Sequence, residues 1–113
     1  MKKREFYVSK LGMPIGVMGL IDTFHTSEGE LKVGIHKVEP KDCDNDYDYE
    51  WEMIELTTGL KLRTFKSTYK SKIPADIEFI NKAIKAVSTK QDKAEKFKKD
   101  IVRLYHELPE YLM

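Results

Sequence analysis

A single cysteine, Cys43, stands in 113 residues, so no disulfide can form within the chain. A reducing, cytoplasmic setting is the expectation that follows. Long apolar runs are also missing. A helix that crosses a bilayer needs about twenty consecutive apolar residues, and the best candidate, residues 11–21 (LGMPIGVMGLI), is too short and is broken by Gly12, Pro14, Gly16 and Gly19. Lys2, Lys3 and Arg4 precede it, but a strand-like segment intervenes and no small-residue cleavage site follows, so it does not read as a leader. No membrane partner is expected. Charge of one sign is not in excess either: Lys and Arg total 20, Asp and Glu 19. Bulk electrostatics therefore favours neither nucleic acid nor membrane, and only local distribution can carry such an argument.

Catalytic signatures are missing as well. There is no glycine-rich phosphate loop and no nucleophile elbow. His25, His36 and Cys43 lack zinc-ligand spacing. Cys43 lies between Asp42 and Asp44, which disfavour its thiolate. No enzyme activity, cofactor or metal is expected.

What is present is an ordinary globular composition, 41% hydrophobic and 11% aromatic, with a densely charged surface at 35% Asp, Glu, Lys and Arg. That fits one domain over 1–113. Lys far outnumbers Arg, and Ile, Tyr and Asp are frequent, a usage common in AT-rich bacterial genomes and their phages.

Hydrophobic patterning predicts strands over 5–11, 15–25, 30–38, 47–56 and 60–66, followed by helices over 74–87 and 89–107. Strands first and helices last give an α+β domain: a bent antiparallel sheet of about five strands with both helices on one face. Gly12-Met13-Pro14 and residues 26–29 read as turns, and Pro40 ends the third strand. If residues 27–30 close the second hairpin, His25 faces Lys32 and His36 faces Ile21. That puts the two histidines on one sheet face but about 13 Å apart, too far for a dyad. Pro74 suits a first helical position. Ile77, Ile80, Ile84 and Val87 form one apolar stripe; Ala94, Phe97, Ile101, Leu104 and Leu108 form another. The stripes share no frame, so a break is predicted near Ser88, with Ser88 and Gln91 as a capping box. On the second helix Asp92 and Lys96, Glu95 and Lys99, and Asp100 and Arg103 sit at pairing distance, and His106 lies near its C-terminus. Residues 110–113 read as a tail.

The sharpest change of chemistry lies between Asp42 and Lys72. Asp42, Asp44, Asp46, Asp48, Glu50, Glu52 and Glu55 alternate along an acidic arm; Lys61, Arg63, Lys66, Lys70 and Lys72 follow on a basic one. A three-residue loop, Thr57-Thr58-Gly59 with Gly59 left-handed, joins them. It sets Leu56 against Leu60, Glu55 against Lys61, Ile54 against Leu62 and Met53 against Arg63, apolar to apolar and acid to base. Tyr47, Tyr49 and Trp51 have the opposite parity to Ile54 and Leu56, so a bulge near Glu52-Met53 is expected to bring both sets to the core.

Two functional readings follow. Carboxylates on every second strand residue lie about 6.6 Å apart on one face, near the spacing of phosphates along a nucleic-acid strand. With their aromatic neighbours they suit a protein partner. The contact set is Asp44, Asp46, Tyr47, Asp48, Tyr49 and Glu50, and the molecule reads as a small non-enzymatic binding protein. An inhibitor or adaptor carried by a phage or mobile element, acting on a nucleic-acid enzyme, would fit; two copies pairing through a free sheet edge or the last helix would also fit. The alternative is single-stranded nucleic acid held by Arg63, Phe65, Lys66, Tyr69, Lys70 and Lys72 with the basic N-terminus (Lys2, Lys3, Arg4), cations for phosphate and rings for bases. A calcium loop is weaker: Asp44, Asp46, Asp48 and Glu55 fall at EF-hand positions, but Tyr49 stands where glycine is needed.

Overall fold

The computed structural model describes residues 3–38, 49–67 and 75–113. Five strands, β1 (Arg4–Lys10), β2 (Met13–Thr26), β3 (Gly29–Val38), β4 (Tyr49–Glu55) and β5 (Leu60–Ser67), form an antiparallel meander in chain order. Helices α1 (Ile77–Ser88) and α2 (Gln91–Tyr105) follow, then a 3-10 turn over Glu110–Leu112. The predicted α+β class, strand order and helix pair are all present. The structure differs in how the sheet uses its faces.

Both faces are apolar and both are buried. On one face Leu20, Leu31, Val33, Ile35 and Met53 pack with Ile80 and Ala83 of α1. Tyr7, which by register shares that face, packs with Phe97 and Ile101 of α2. The other face gathers Phe6 and Val8 of β1 with Ile54 of β4 and the adjoining Leu56. β1 and β4 are not neighbours in the sheet, so their side chains can meet only across a concave surface. We call this the inner face and the helix-covered one the outer. Gly34 lets the curl tighten: a Cβ there would stand 2.8 Å from the Phe6 ring. The sheet stays open, but the Ser9 amide of β1 donates to the Gly59 carbonyl beside β5 at 2.8 Å.

The curl explains why the expected bulge is elsewhere. β4 pairs with β3 without interruption, and the register shift lies on the β5 side, between Met53 and Ile54. Met53 faces Arg63 as expected, but Ile54 faces Lys61 and Glu55 faces Leu60, leaving Leu62 as the extra residue. No bulge in β4 is needed, because Trp51 and Met53 enter the outer core while Ile54 and Leu56 enter the inner one.

Other expectations are corrected locally. The first turn is Leu11-Gly12, both at positive φ, with Lys10 paired to Met13; Met13 and Pro14 belong to β2. Pro14 is tolerated there because its nitrogen points away from β1 and β3 pairs only from Gly19 onward. The second hairpin sets His25 against Glu30 and His36 against Gly19, which separates the histidines further. The helices break at Thr89–Lys90, but no capping box forms. Ser88 Oγ donates to the Lys85 carbonyl, and the α2 cap, Lys90, makes no side-chain bond. Asp76, overlooked in the sequence, caps α1 by accepting from the Phe79 amide at 2.8 Å. Lys96 turns forward to Asp100 (2.7 Å), which also takes Arg103 (3.3 Å). Those two cations, the Lys96 hydrogen bond foremost, hold the Asp100 carboxyl below the usual carboxylate range.

Residues 110–113 are not a loose tail. The Tyr111 ring packs on the inner cluster and Leu112 on the Tyr7–Phe97–Ile101 cluster, so the turn straddles β1. The Tyr7 amide donates to the Tyr111 hydroxyl (2.9 Å), Lys32 Nζ donates to the Tyr111 carbonyl (3.0 Å), and the Tyr7 hydroxyl donates to Glu107 (2.6 Å). Tyr7 and Ser9 are the outward-facing amides of an edge strand. Their bonds to Tyr111 and Gly59 blunt that edge against pairing with other chains. Burial pushes the Tyr111 phenol up to about 12.

Candidate functional site

The β4–β5 hairpin is two-sided, and its sides differ in chemistry. On the outer face Trp51 and Phe65 are register partners with their rings stacked, 6.5 Å between centroids and 7° between planes. Arg63, next along that face, lays its guanidinium over the Phe79 ring of α1 at 4.4 Å and near Phe65 at 6.0 Å. An indole, a phenyl ring, a guanidinium and a second phenyl ring thus form a ladder tying the hairpin to α1. Trp51, Phe65 and Phe79 are each half-buried. On the inner face Glu50 stands opposite Lys66 and Glu52 opposite Thr64. Glu52 is also the register partner of His36 on β3, with its Oε2 3.8 Å from His36 Nε2. His36 is buried, and burial lowers its pKa despite the pull of Glu52.

Glu55 leaves the acidic arm altogether. It is 2% exposed and turned into the hairpin loop. Its carboxylate accepts from the Thr57 and Thr58 amides at 3.0 and 2.9 Å and from both threonine hydroxyls at 2.8 Å. This side chain organises the loop into four residues, Leu56 to Gly59, rather than three. Gly59 has φ +70°, as expected, and a Cβ there would also come within 2.3 Å of the Phe97 ring. A carboxylate so engaged is not offered to calcium, so the EF-hand reading loses its twelfth position. Among the described residues no group of three or more His, Cys, Asp or Glu side chains could hold a metal ion.

Of the residues proposed to contact a protein, Glu50 sits on the inner face of β4 and Tyr49 opens the strand, paired with Ser67. Asp44, Asp46, Tyr47 and Asp48 lie outside the described residues. Of the nucleic-acid set, Arg63 and Phe65 share the outer ladder, Lys66 points to the opposite face, and Tyr69, Lys70 and Lys72 lie outside the described residues. Arg63, Phe65 and Lys66 are therefore not brought to one surface. Sequence reasoning missed the Trp51–Phe65 pair. It sent Trp51 to the core and Phe65 to a nucleic-acid surface, although the Met53–Arg63 register it had derived sets Trp51 opposite Phe65 two steps further on. Comparison with protein-family models, with curated proteins and with solved structures finds no match, so the site is read from its own geometry.

Proposed function

We propose that this chain is a small non-enzymatic binding protein that holds a protein partner through the far end of the β4–β5 hairpin and the acidic stretch leading into it. The observation that carries this reading is the Trp51–Phe65 stack, half-exposed on the outer face at the far end of the hairpin, with Glu50 and Lys66 as the next register pair along, on the inner face. Rigidly held, half-exposed aromatics are what interface hot spots are made of. An inhibitor or adaptor of a nucleic-acid enzyme, encoded by a phage or mobile element, is the class that the size and the alternating carboxylates suit. Against the single-strand reading, Phe65 is already stacked on Trp51 and Arg63 on Phe79, so neither ring nor guanidinium is offered freely to a base.

The test changes Asp46, Asp48 and Glu50 together to Asn, Asn and Lys. The variant should keep the circular dichroism spectrum and melting temperature of the parent while losing a host protein that the parent retains on affinity purification. Equal recovery of that protein by the variant would end the proposal. Titration with labelled single-stranded oligonucleotides at low salt decides the alternative: tight binding that falls on Lys66→Glu would replace the protein-partner reading.

A further inference from the structure

We propose that the Leu11-Gly12 tip of the β1–β2 hairpin is a docking point for an anionic lipid surface. Leu11 is fully exposed, at 105% relative accessibility, and its backbone sits at φ 52°. Both features are wrong for leucine. A two-residue turn with positive φ at both positions favours Asn or Asp followed by Gly, and a branched-chain residue pays in strain there. An apolar side chain at the apex of a hairpin gains nothing from water. Local rules are broken in this way mainly where function asks for it. The exposure continues behind the tip, where Met13 is 42% and Ile15 41% exposed. By register these two lie on one face with Lys10 and Val8.

Charge complementarity selects the occupant. Exposed Lys10 adjoins the tip in sequence, and Lys93 and Lys96 of α2 line the same surface hollow as Ser9 and Gly12. Among the described residues the one acid lining that hollow, Asp100, is engaged by Lys96 and Arg103, so Lys10 and Lys93 are the cations that supply the charge. A protruding apolar residue with a lysine on each side of its hairpin, Lys10 toward the inner face and Lys93 of α2 toward the outer, is an arrangement that places a side chain among acyl chains while ammonium groups meet lipid phosphates. No helix among the described residues is long and apolar enough to cross a membrane; that bears on spanning, and docking from one side does not require it. The site is separate from the β4–β5 ladder and does not depend on the proposed partner.

The experiment is co-sedimentation of the full chain with phosphatidylcholine vesicles, with and without phosphatidylglycerol. Binding should require phosphatidylglycerol and weaken as salt is raised. Leu11→Asn should lower the affinity about tenfold, the order set by withdrawing one leucine from an apolar phase. Its melting temperature should stay equal or rise, because Asn accepts the left-handed conformation better. Lys93→Glu should weaken binding with no change in fold. Absence of binding to anionic vesicles at low salt, or equal binding by Leu11→Asn, would overturn the proposal. So would Leu11-dependent dimers in sedimentation velocity without vesicle binding, which would assign the tip to a second copy.

Discussion

The ring of His36 lies edge-on to Phe6, 6.1 Å between centroids, within the inner cluster. Its Nε2 is buried without a hydrogen-bond partner, 3.8 Å from Glu52. Burial lowers the pKa and Lys10 adds to the lowering, while Glu52 and the Lys37 backbone oppose it; burial wins. The sign for stability follows. The unfolded ring takes up a proton near its ordinary value of about 6.5, whereas the folded ring stays neutral to lower pH. Stability is therefore full above that value and is lost as pH falls from it through the folded pKa. Urea unfolding between pH 7 and pH 5 should show this decline, and His36→Gln should flatten it; an unchanged slope would mean that other groups cause it. The sequence offered His36 as one of three histidines without distinction. Its burial depends on curling β1 over β3, and strand periodicity does not encode that.

At the scale of elements, the curl rests on a glycine and an aromatic ring in contact across the sheet. Gly34→Ala would force a Cβ to within 2.8 Å of the Phe6 ring, so one of the two must shift. The expected cost is about 1–3 kcal/mol, the range for overpacking a filled core. Adding Phe6→Leu to that variant should recover part of the loss, and a double-mutant cycle by chemical denaturation reads the coupling. Strictly additive effects would show that the ring and the glycine do not constrain each other. Element type and order were legible in the sequence because alternation, glycine-bounded turns and helical stripes are local signals. The β1–β2 turn and the β5 bulge were not. Pro14 looked like a turn residue until the shorter reach of β3 removed its conflict with the ladder. The bulge answers a loop length set by Glu55, whose side chain read as one more member of a charged row.

For the molecule as a whole, the decisive contacts join its extremes. Tyr111 supplies a hydroxyl to the Tyr7 amide and a ring to the cluster of Phe6, Val8, Ile54 and Leu56. Tyr111→Phe keeps the ring and strips the hydroxyl, leaving the Tyr7 amide without its partner. A loss of about 1–2 kcal/mol is expected, measured as a lower denaturation midpoint with an unchanged slope. The same variant should exchange the Tyr7 amide hydrogen faster than its neighbours in β1. Equal protection would show that the hydroxyl contributes nothing to the edge. None of this was visible in a C-terminal stretch too short to show periodicity.

The clasp of Tyr111 on Tyr7 spans 104 residues of sequence. On the ribosome β1 is made early; Gly59 can cover the Ser9 amide once β4 is out, yet the hydroxyl that covers the Tyr7 amide emerges only after β1–β5, α1 and α2. Until then a growing chain presents an open β-edge and an incompletely covered inner face. Crowded polysomes would therefore bring unfinished copies together edge to edge, and a stall late in α2 would be more hazardous than one before β2.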